Sequence, residues 1–358
     1  MKIFIDIGHP AHVHYFRNFI NLMNKKGHQF YLSARNKEVI HHLLDYYNLS
    51  YYDRGKGSQS LFGKFFYIFI ADLRLLTKAI KFKPDIFISF ASPYAAQVSW
   101  ILNKHHIVLD DTESATLNHR LYKYFSNVIL NPLSFKKKLG NKQIYFDSFM
   151  ELCYLHPNYF TPDKNILKEL KLKEDERFIL IRFVSWNANH DFGIKGLNDK
   201  NKDEVIRFLL NGGFKIFISS EDDLPEKYIN YKLEILPEKL HHVLAFASLY
   251  IGEGATTASE SVMLGVPAIY INPLIASTTS EQQGSGMLFQ FQSSESLMKE
   301  LYLLIEKIEE LKNINYSKEN LLKSKIDITS FLIWFVSNYP KSFKIMKSNP
   351  DFQNRFLL

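Results

Sequence analysis

The sequence has little cysteine and no long block of one charge, and these absences exclude whole classes of protein. Cys153 is the single cysteine among 358 residues, so no internal disulfide can form and a reducing cytoplasm is the expected location. Residues 1–7 are too short for a signal peptide and predict a first strand instead. Zinc-finger spacing and RNA-recognition aromatic motifs are missing as well, so nucleic acid is not an expected partner.

The sequence also lacks a charge-free hydrophobic run long enough to span a membrane. The longest run, residues 61–80, includes Asp72 and Arg74, which would be costly in a bilayer core. Two alternatives stay open for it: a buried helix with a solvated basic end, or a helix in peripheral contact with an anionic membrane. The apolar residues at helical spacing are Phe62, Phe65, Phe66, Phe69 and Leu73, and the lysines that follow are Lys78, Lys81 and Lys83.

The composition that is present indicates a globular protein of two domains with an anionic partner. Hydrophobic residues make up 46% of the chain, which is enough for sizeable cores, and 358 residues exceed one typical domain. The formal net charge is +7. A phosphorylated substrate or an acidic membrane surface is therefore a candidate partner.

Short β-rich runs alternate with amphipathic stretches along most of the chain, which favours parallel sheets covered by helices. We predict an N-terminal Rossmann-like domain over residues 1–150, a linker over 151–163, a second Rossmann-like domain over 164–325, and C-terminal helices over 326–358 that pack back across the junction. Two such domains would leave a cleft, with ligands at the carboxyl ends of the strands. The predicted strands are 2–6, 29–33, 50–52, 85–89, 106–110, 127–130, 178–183, 215–219, 233–236, 249–251 and 268–271.

The most informative segment is residues 248–272, which predicts a strand, a glycine turn, a helix and a second strand. The turn contains Gly252 and Gly254, and we expect Thr256 or Thr257 to cap the helix. A helix N-terminus after a strand suits a phosphate, so this turn is a candidate anion site. A tight turn in any α/β domain is the open alternative, because the chain has no P-loop lysine and no third glycine.

This segment resembles the donor-nucleotide motif of GT-B glycosyltransferases and of UDP-N-acetylglucosamine 2-epimerases. The resemblance implies that the turn starting at Gly252 holds the donor, with Gly254, Ala255, Thr256 and Thr257 on the diphosphate. It implies that Glu260 binds the ribose hydroxyls. A later turn with Gln282 and Gln283 is similar in position to the one that touches the donor sugar in GT-B transferases.

Two further strand ends supply candidate donor contacts. Arg182 ends an apolar strand, where its guanidinium can bind a diphosphate in bidentate fashion. An inter-strand ion pair is the alternative for this arginine. Ser219 closes the next strand and can meet phosphate or ribose, and the polar loop 185–191 offers Trp186 for stacking.

The first strand leads into a loop with three histidines, His9, His12 and His14, ahead of an amphipathic helix. An imidazole can take a proton from a sugar hydroxyl near neutral pH. The loop is similar to the Gly-His-Val element of MurG-type enzymes, and the match assigns the base to His12, with His14 as second choice. Capping or packing is the alternative for each histidine, and we predict no metal site here.

Three carboxylates lie at the carboxyl end of the strand predicted over residues 106–110: Asp110, Asp111 and Glu113. They can bind a divalent metal, or hydrogen-bond sugar hydroxyls and hold a proton. GT-B enzymes generally work without a metal, so the resemblance favours the second role. A third alternative is a helix start with Asp111 as N-cap and Glu113 near the positive end of the helix dipole.

The opening DIGHPAHVHYF, the run LDDTE from Leu109 and the run Ile181-Arg182-Phe183 resemble a GT-B-like family of unknown function. That family is described as predicted glycosyltransferases related to the 2-epimerases, and the likeness covers nearly the full chain. It implies an α/β, GT-B-like fold and a metal-independent glycosyltransferase of surface polysaccharide or glycolipid synthesis. The donor would be a UDP-linked sugar, with no separate cofactor, and the acceptor a glycan or lipid-linked molecule at the inner face of the membrane. The alternatives are a UDP-N-acetylhexosamine 2-epimerase and a non-catalytic nucleotide-sugar-binding subunit.

Overall fold

A computed structural model of the chain describes residues 1–57, 61–173, 176–183, 197, 199–220, 223–273, 277–313 and 321–357. The chain divides into two compact units. Unit 1 comprises Met1–Tyr154 and Lys325–Leu358, and unit 2 comprises Leu155–Ser324. Each unit contains one parallel sheet, so the predicted α/β class with two parallel-sheet domains is confirmed.

The secondary structure follows the predicted alternation. The strands are β1 (Lys2–Ile7), β2 (Gln29–Ala34), β3 (Tyr51–Asp53), β4 (Ile86–Phe90), β5 (His105–Leu109), β6 (Val128–Pro132), β7 (Gln143–Phe146), β8 (Phe178–Phe183), β9 (Lys215–Ser220), β10 (Leu249–Gly252), β11 (Ala268–Ile271) and β12 (Leu288–Phe291). The helices are α1 (Pro10–Lys25), α2 (Glu38–Tyr46), α3 (Leu61–Phe82), α4 (Pro93–Ile101), α5 (Thr116–Tyr122), α6 (Leu152–Leu155), α7 (Asn165–Glu169), α8 (Asp199–Asn211), α9 (Leu240–Phe246), α10 (Ala255–Leu264), α11 (Ser277–Gln283), α12 (Ser294–Asn313), α13 (Ile328–Ser337) and α14 (Lys341–Ser348). Short 3₁₀ helices cover Glu226–Tyr231, Pro237–Lys239 and Pro350–Phe356.

The sheet of unit 1 has seven strands in the order β3-β2-β1-β4-β5-β6-β7, and every pair is parallel. Six of these strands lie within two residues of their predicted bounds. β7 was not predicted, because its four residues contribute only Ile144 and Phe146 as an alternating apolar pair. A cluster that includes Phe4, Leu75 and Phe87 packs α3 and α4 against the sheet.

The C-terminal segment belongs to unit 1. Helix α13 packs against α1, and Phe331 and Phe335 are fully buried. Immediately before this helix, Ile326 N donates to Asp147 O at 3.0 Å. The aromatic run predicted as a helix is therefore part of the core of unit 1.

The sheet of unit 2 has five parallel strands in the order β12-β11-β10-β8-β9. The bounds predicted for β8 and β11 match the structure. The strand predicted at 233–236 is wrong: Lys232 forms only a single bridge with Ile218, and 3₁₀ helices lie on both sides. Pro237 starts the second of these helices and prevents the extended segment from continuing as a strand.

The segment predicted as a linker, residues 151–163, contains α6. Leu152, Cys153 and Tyr154 are fully buried. Unit 1 ends at Tyr154, and unit 2 begins at the next residue.

Each sheet has a topological switch point, where successive strands are added on opposite sides of a central strand. In unit 1 this point lies between β1 and β4, and in unit 2 it lies between β8 and β10. Crevices at such points, at the carboxyl ends of the strands, are where open α/β sheets bind ligands. These two edges are therefore where functional side chains are expected.

Candidate active site

The switch point of unit 2 brings together two of the predicted donor contacts. Strand pairing sets Arg182 of β8 opposite Gly252 of β10. The half-buried Arg182 donates from Nη1 to Ser219 Oγ at 2.9 Å, so the neighbouring strand β9 orients the guanidinium. Arg182 and Ser219 are thus hydrogen-bonded to each other at the carboxyl edge of the sheet.

Helix α10 starts beside this arginine, and its N-cap is Gly254. The prediction that Thr256 or Thr257 caps the helix is wrong, because the helix begins earlier, at Ala255, and both threonines lie in its first turn. Gly254 has no side chain that could accept the first-turn N–H groups. The positive end of a ten-residue helix therefore carries no N-cap side chain at this edge of the sheet.

Gly252 is needed for packing. A Cβ atom at this position would lie 2.2 Å from Tyr250 Oη and 3.0 Å from Arg182 O. Tyr250 is fully buried, and burial raises the pKa of its phenol. The ring cannot move aside easily, so the glycine lets β10 and β8 lie side by side with a tyrosine beneath the turn.

Glu253, between the two glycines, was not singled out from the sequence. Its side chain is buried, and its Oε1 accepts a hydrogen bond from Leu197 N at 2.8 Å. Asn272 Nδ2 donates to its backbone oxygen at 3.3 Å. Glu253 could have been identified from the sequence, because it is an acidic residue in a Gly-X-Gly turn at the end of a strand.

Glu260, the predicted ribose ligand, is buried on the second turn of α10. His241 Nε2 of α9 lies 2.9 Å from its Oε1, and both side chains are at most about 6% exposed. The sequence offered no clue to this partner beyond the His241-His242 pair. The ribose role of Glu260 stays a prediction. In the structure, the contact between Glu260 and His241 joins α10 to α9.

The two predicted glutamines lie on α11 and have different surroundings. Gln282 is fully buried and donates to Ser259 Oγ of α10 at 2.5 Å. Gln283 is exposed and donates to Gln290 of β12 at 3.1 Å. Gln282 thus joins α11 to α10, and Gln283 lies at the surface. The predicted stacking loop 185–191, with Trp186, lies outside the described residues.

In unit 1, His9 and His12 have separate roles at the start of α1. His9 is the N-cap and accepts from Ala11 N, with Pro10 in the first turn. His12 Nδ1 accepts from Gly8 N at 3.2 Å, so the proton of the neutral ring is on Nε2. Burial, then the nearby His9 and Arg54, hold the pKa of His12 well below its ordinary value. His12 is therefore a neutral ring that presents an N–H donor.

His14 is buried in the interior of unit 1. Its ring centroid lies 5.1 Å from that of Tyr154 and 5.9 Å from that of Tyr47. The structure places this second-choice base among aromatic side chains, away from the carboxyl edge where His12 lies.

The three predicted carboxylates at the end of β5 are not equivalent. Asp110 is fully buried: Tyr122 Oη donates to its Oδ2 at 2.6 Å, Thr112 N donates to its Oδ1 at 2.8 Å, and His119 Nε2 lies 3.1 Å away. Glu113 accepts a hydrogen bond from Lys136 N. Both carboxylates hold the surrounding loop in place.

Asp111 lies between Asp110 and Glu113 at the carboxyl edge of the sheet. It is half-buried, and burial together with the charge of Asp110 raises its pKa to about 7. The helix-start alternative is wrong, because α5 begins at Thr116 with Ala115 as N-cap. Asp111 therefore titrates near neutral pH at the carboxyl edge of the sheet, two strands from β1.

A buried ion pair beneath this edge was not found from the sequence. Arg54 Nε donates to Asp6 Oδ1 at 2.9 Å, and Ser33 and Ser92 donate to the same carboxylate at 2.6 Å. These contacts join the ends of β1, β2 and β4 and the segment after β3. Among the residues that the structure describes, no three His, Cys, Asp or Glu side chains are grouped to hold a metal ion.

Two parallel-sheet α/β units in one chain, each with a switch point at its carboxyl edge, define the GT-B-like fold that the sequence predicted. The chain belongs to the family described as Protein of unknown function (DUF354), whose model matches residues 1–319. A curated relative, Uncharacterized protein MJ0665 of Methanocaldococcus jannaschii, is 25% identical over 286 residues, which are 76% of this chain and 82% of that protein.

Solved structures show the same fold at low identity. The UDP-GlcNAc 2-epimerase of Neisseria meningitidis, solved with UDP-GlcNAc bound, is 13% identical with a TM-score of 0.66, over 87% of this chain and 93% of that chain. MurG of Acinetobacter baumannii is 14% identical with a TM-score of 0.58, over 94% of this chain and 99% of that chain. These likenesses confirm the fold.

Proposed function

We propose that this protein is a glycosyltransferase that moves a sugar from a UDP-linked donor to a glycan or lipid-linked acceptor in surface polysaccharide or glycolipid synthesis. The observation that carries the proposal is the edge between β8 and β10, where Arg182 is oriented by Ser219 beside the start of α10. A guanidinium and first-turn N–H groups together suit a diphosphate. A protein of the same fold is solved with UDP-GlcNAc bound, which supports this class of ligand.

Unit 2 would hold the donor so that the leaving group is stabilised. As the bond between the anomeric carbon and the diphosphate breaks, negative charge grows on the departing oxygen. Arg182 and the positive end of α10 would stabilise that charge with dipoles that are already in place. The nucleoside diphosphate leaves with the electron pair of the broken bond.

Unit 1 would supply the base. Asp111, with a pKa of about 7, is about half ionised at pH 7, and its carboxylate form would take the proton of the acceptor hydroxyl as the hydroxyl oxygen bonds to the anomeric carbon. Such a direct displacement inverts the anomeric centre. His12, which the sequence predicted as the base, carries its proton on Nε2 and would donate a hydrogen bond to a substrate oxygen.

A UDP-N-acetylhexosamine 2-epimerase is the second candidate. Two observations support it: the fold is similar to that of 2-epimerases, and the pKa of Asp111 is about 7. Inverting C2 requires a proton to leave one face and return to the other, so two poised groups are needed. Asp110 and Glu113 are engaged in holding the loop. One poised carboxylate is what a direct displacement needs, and the transferase is therefore preferred.

Donor binding is tested by a thermal-shift screen of UDP-, GDP-, TDP- and CMP-sugars. A ligand at a hundred times its Kd stabilises the folded state by about 2.7 kcal/mol, so one nucleotide should raise the Tm clearly. Arg182→Ala should abolish that shift. The matched control is Arg177→Ala, because Arg177 lies just before the opposite end of β8 and stacks on Phe214. If no nucleotide sugar raises the Tm, or if both variants respond alike, the donor site is wrong.

The two activities are separated by incubating the donor alone in D₂O. An epimerase exchanges the C2 proton for deuterium without an acceptor, and NMR detects the loss of that signal. A glycosyltransferase leaves C2 unlabelled and releases nucleoside diphosphate only when an acceptor is present.

A further inference from the structure

One face of α3 carries large apolar side chains that are exposed. Phe66 is 64% exposed, Phe69 57% and Leu73 61%, and Ile70 between them is 46% exposed. These four residues, which we call the α3 apolar face, are spaced three and four apart and therefore lie on one side of the helix. The side chains of Phe62 and Phe65 lie outside the described residues.

The rotation of the helix is set by contacts on its other sides. Leu75 and Ala79 are fully buried against the sheet of unit 1. Tyr67 Oη accepts from Arg54 Nη1 at 3.0 Å, and Arg74 Nη1 donates to Arg54 O at 2.6 Å. The α3 apolar face thus points outward because the opposite sides are fixed by packing and hydrogen bonds.

A stripe of this kind is unusual on a protein surface. Single exposed apolar residues are common, but several neighbouring ones on one helix mark a surface that meets a partner or a membrane. An ordinary buried helix would bury these four side chains, and the structure leaves them exposed. Within the described ranges, no helix is long and apolar enough to cross a bilayer.

The charges around the stripe are basic. Arg74, Lys81 and Lys83 are exposed, at the side and the end of the helix. Asp72 is the one acidic residue of α3; it is half-buried, and burial and the charge of Asp6 raise its pKa to about 7. An apolar stripe with basic residues matches a surface of anionic lipid. A second copy of the chain, with a net charge of +7, would instead meet like charge.

The position of the stripe relates it to the candidate site of unit 1. Helix α3 connects the end of β3 to the start of β4 in a parallel sheet, so it runs from the carboxyl edge to the amino edge. Phe66, Phe69 and Ile70 lie in its first half, toward the edge where His12 and Asp111 lie, and Leu73 lies just past its middle. Contact along this stripe would bring that edge close to a bilayer surface.

We propose that the α3 apolar face lies in the headgroup region of an anionic phospholipid bilayer, with the helix parallel to the membrane plane. The inference deepens the proposed function, on which it rests for the identity of the acceptor: a lipid-linked acceptor would reach the site from the same surface. In a cell that surface is the cytoplasmic leaflet, which carries the anionic lipids.

Co-sedimentation of the full-length protein with vesicles tests the proposal. One set of vesicles is pure phosphatidylcholine and the other contains about one third phosphatidylglycerol. We expect binding to the anionic vesicles that weakens as salt is raised. The variant F69S/L73S replaces two side chains of the α3 apolar face. It should bind anionic vesicles at least about tenfold more weakly, because both positions lose their apolar contact with lipid.

The matched control is Y302S/L303S, which removes two exposed apolar residues from α12 of unit 2. It should bind vesicles as the wild type does, and both variants should keep the wild-type Tm because the replaced side chains are exposed. The proposal is overturned if the wild type does not bind anionic vesicles, or if F69S/L73S binds as well as the control. It is also overturned if sedimentation equilibrium shows a dimer that F69S/L73S dissolves.

Donor binding, measured by thermal shift on the same samples, separates the two proposals. A nucleotide-sugar shift without vesicle binding would refute the membrane contact and leave the transferase proposal standing. Vesicle binding without a thermal shift for any nucleotide sugar would refute the transferase proposal and leave the membrane contact standing.

Discussion

His106 is an uncharged histidine in the core of unit 1, and its burial predicts a measurable acid sensitivity. The ring is fully buried, with Nε2 2.9 Å from Ser89 Oγ and Nδ1 2.9 Å from Ser126 Oγ. Ser126 donates its own proton to Tyr122 O, so it accepts from Nδ1–H, and Nε2 accepts from Ser89. The neutral ring is fully hydrogen-bonded, and burial lowers its pKa from 6.5 to about 3.

The size of the effect follows from the two pKa values. The unfolded chain binds a proton at His106 below pH 6.5, but the folded chain does so only below about pH 3. The contribution of His106 to the free energy of unfolding is therefore fully present above pH 6.5 and is lost as the pH falls toward 3. At pH 4.5, two units below the unfolded pKa, the loss is about 2.7 kcal/mol, since one unit corresponds to about 1.36 kcal/mol.

Urea unfolding followed by circular dichroism at pH 7.5 and pH 4.5 measures this loss. His106→Gln removes the titrating group, so the difference in free energy of unfolding between the two pH values should shrink by about 2.7 kcal/mol. His105→Gln is the matched control, because His105 is the exposed neighbour on the same strand. If His106→Gln and the wild type lose the same free energy on acidification, the histidine is not held neutral and the reasoning fails.

Two further predictions concern the candidate site. Gly252→Ala should lower the free energy of unfolding by about 1–3 kcal/mol, because its Cβ would overlap the buried Tyr250 hydroxyl; unchanged urea stability would contradict this. With a base whose pKa is about 7, turnover should fall about tenfold for each pH unit below 7 and level off above it. Asp111→Asn should reduce turnover about 10²–10⁴-fold and remove this pH dependence, whereas Glu113→Gln should keep it; an Asp111→Asn enzyme with the wild-type profile would rule out Asp111 as the base.

Most of the fold could be predicted because its signals are local. Strand β8 begins with four consecutive apolar residues between Arg177 and Arg182, and β10 ends at the first of two glycines in three residues. The prediction failed at 233–236 and missed β7 and β12, where short runs carry too little periodicity. In such runs, pairing with a neighbouring strand decides whether a segment joins the sheet.

The candidate site was predicted less completely, because the environment of a side chain is set by residues distant in sequence. Arg182 could be placed at a strand end, but its bond to Ser219 depends on the pairing of β8 with β9. Glu260 was predicted as a ligand from its place after the glycine turn. Its contact with His241 arises from the packing of α9 on α10.

The sequence alone determined the two-sheet architecture and the type of residue at each strand end, because hydrophobic period and glycine turns act over a few neighbours. The tertiary structure decided what those residues can do. Burial beside Asp110 brings the pKa of Asp111 to about 7, and the Gly8 amide sets the proton of His12 on Nε2. It also decided that Phe66, Phe69, Ile70 and Leu73 face outward, since a helical pattern shows that one side is apolar but only packing shows which side is covered.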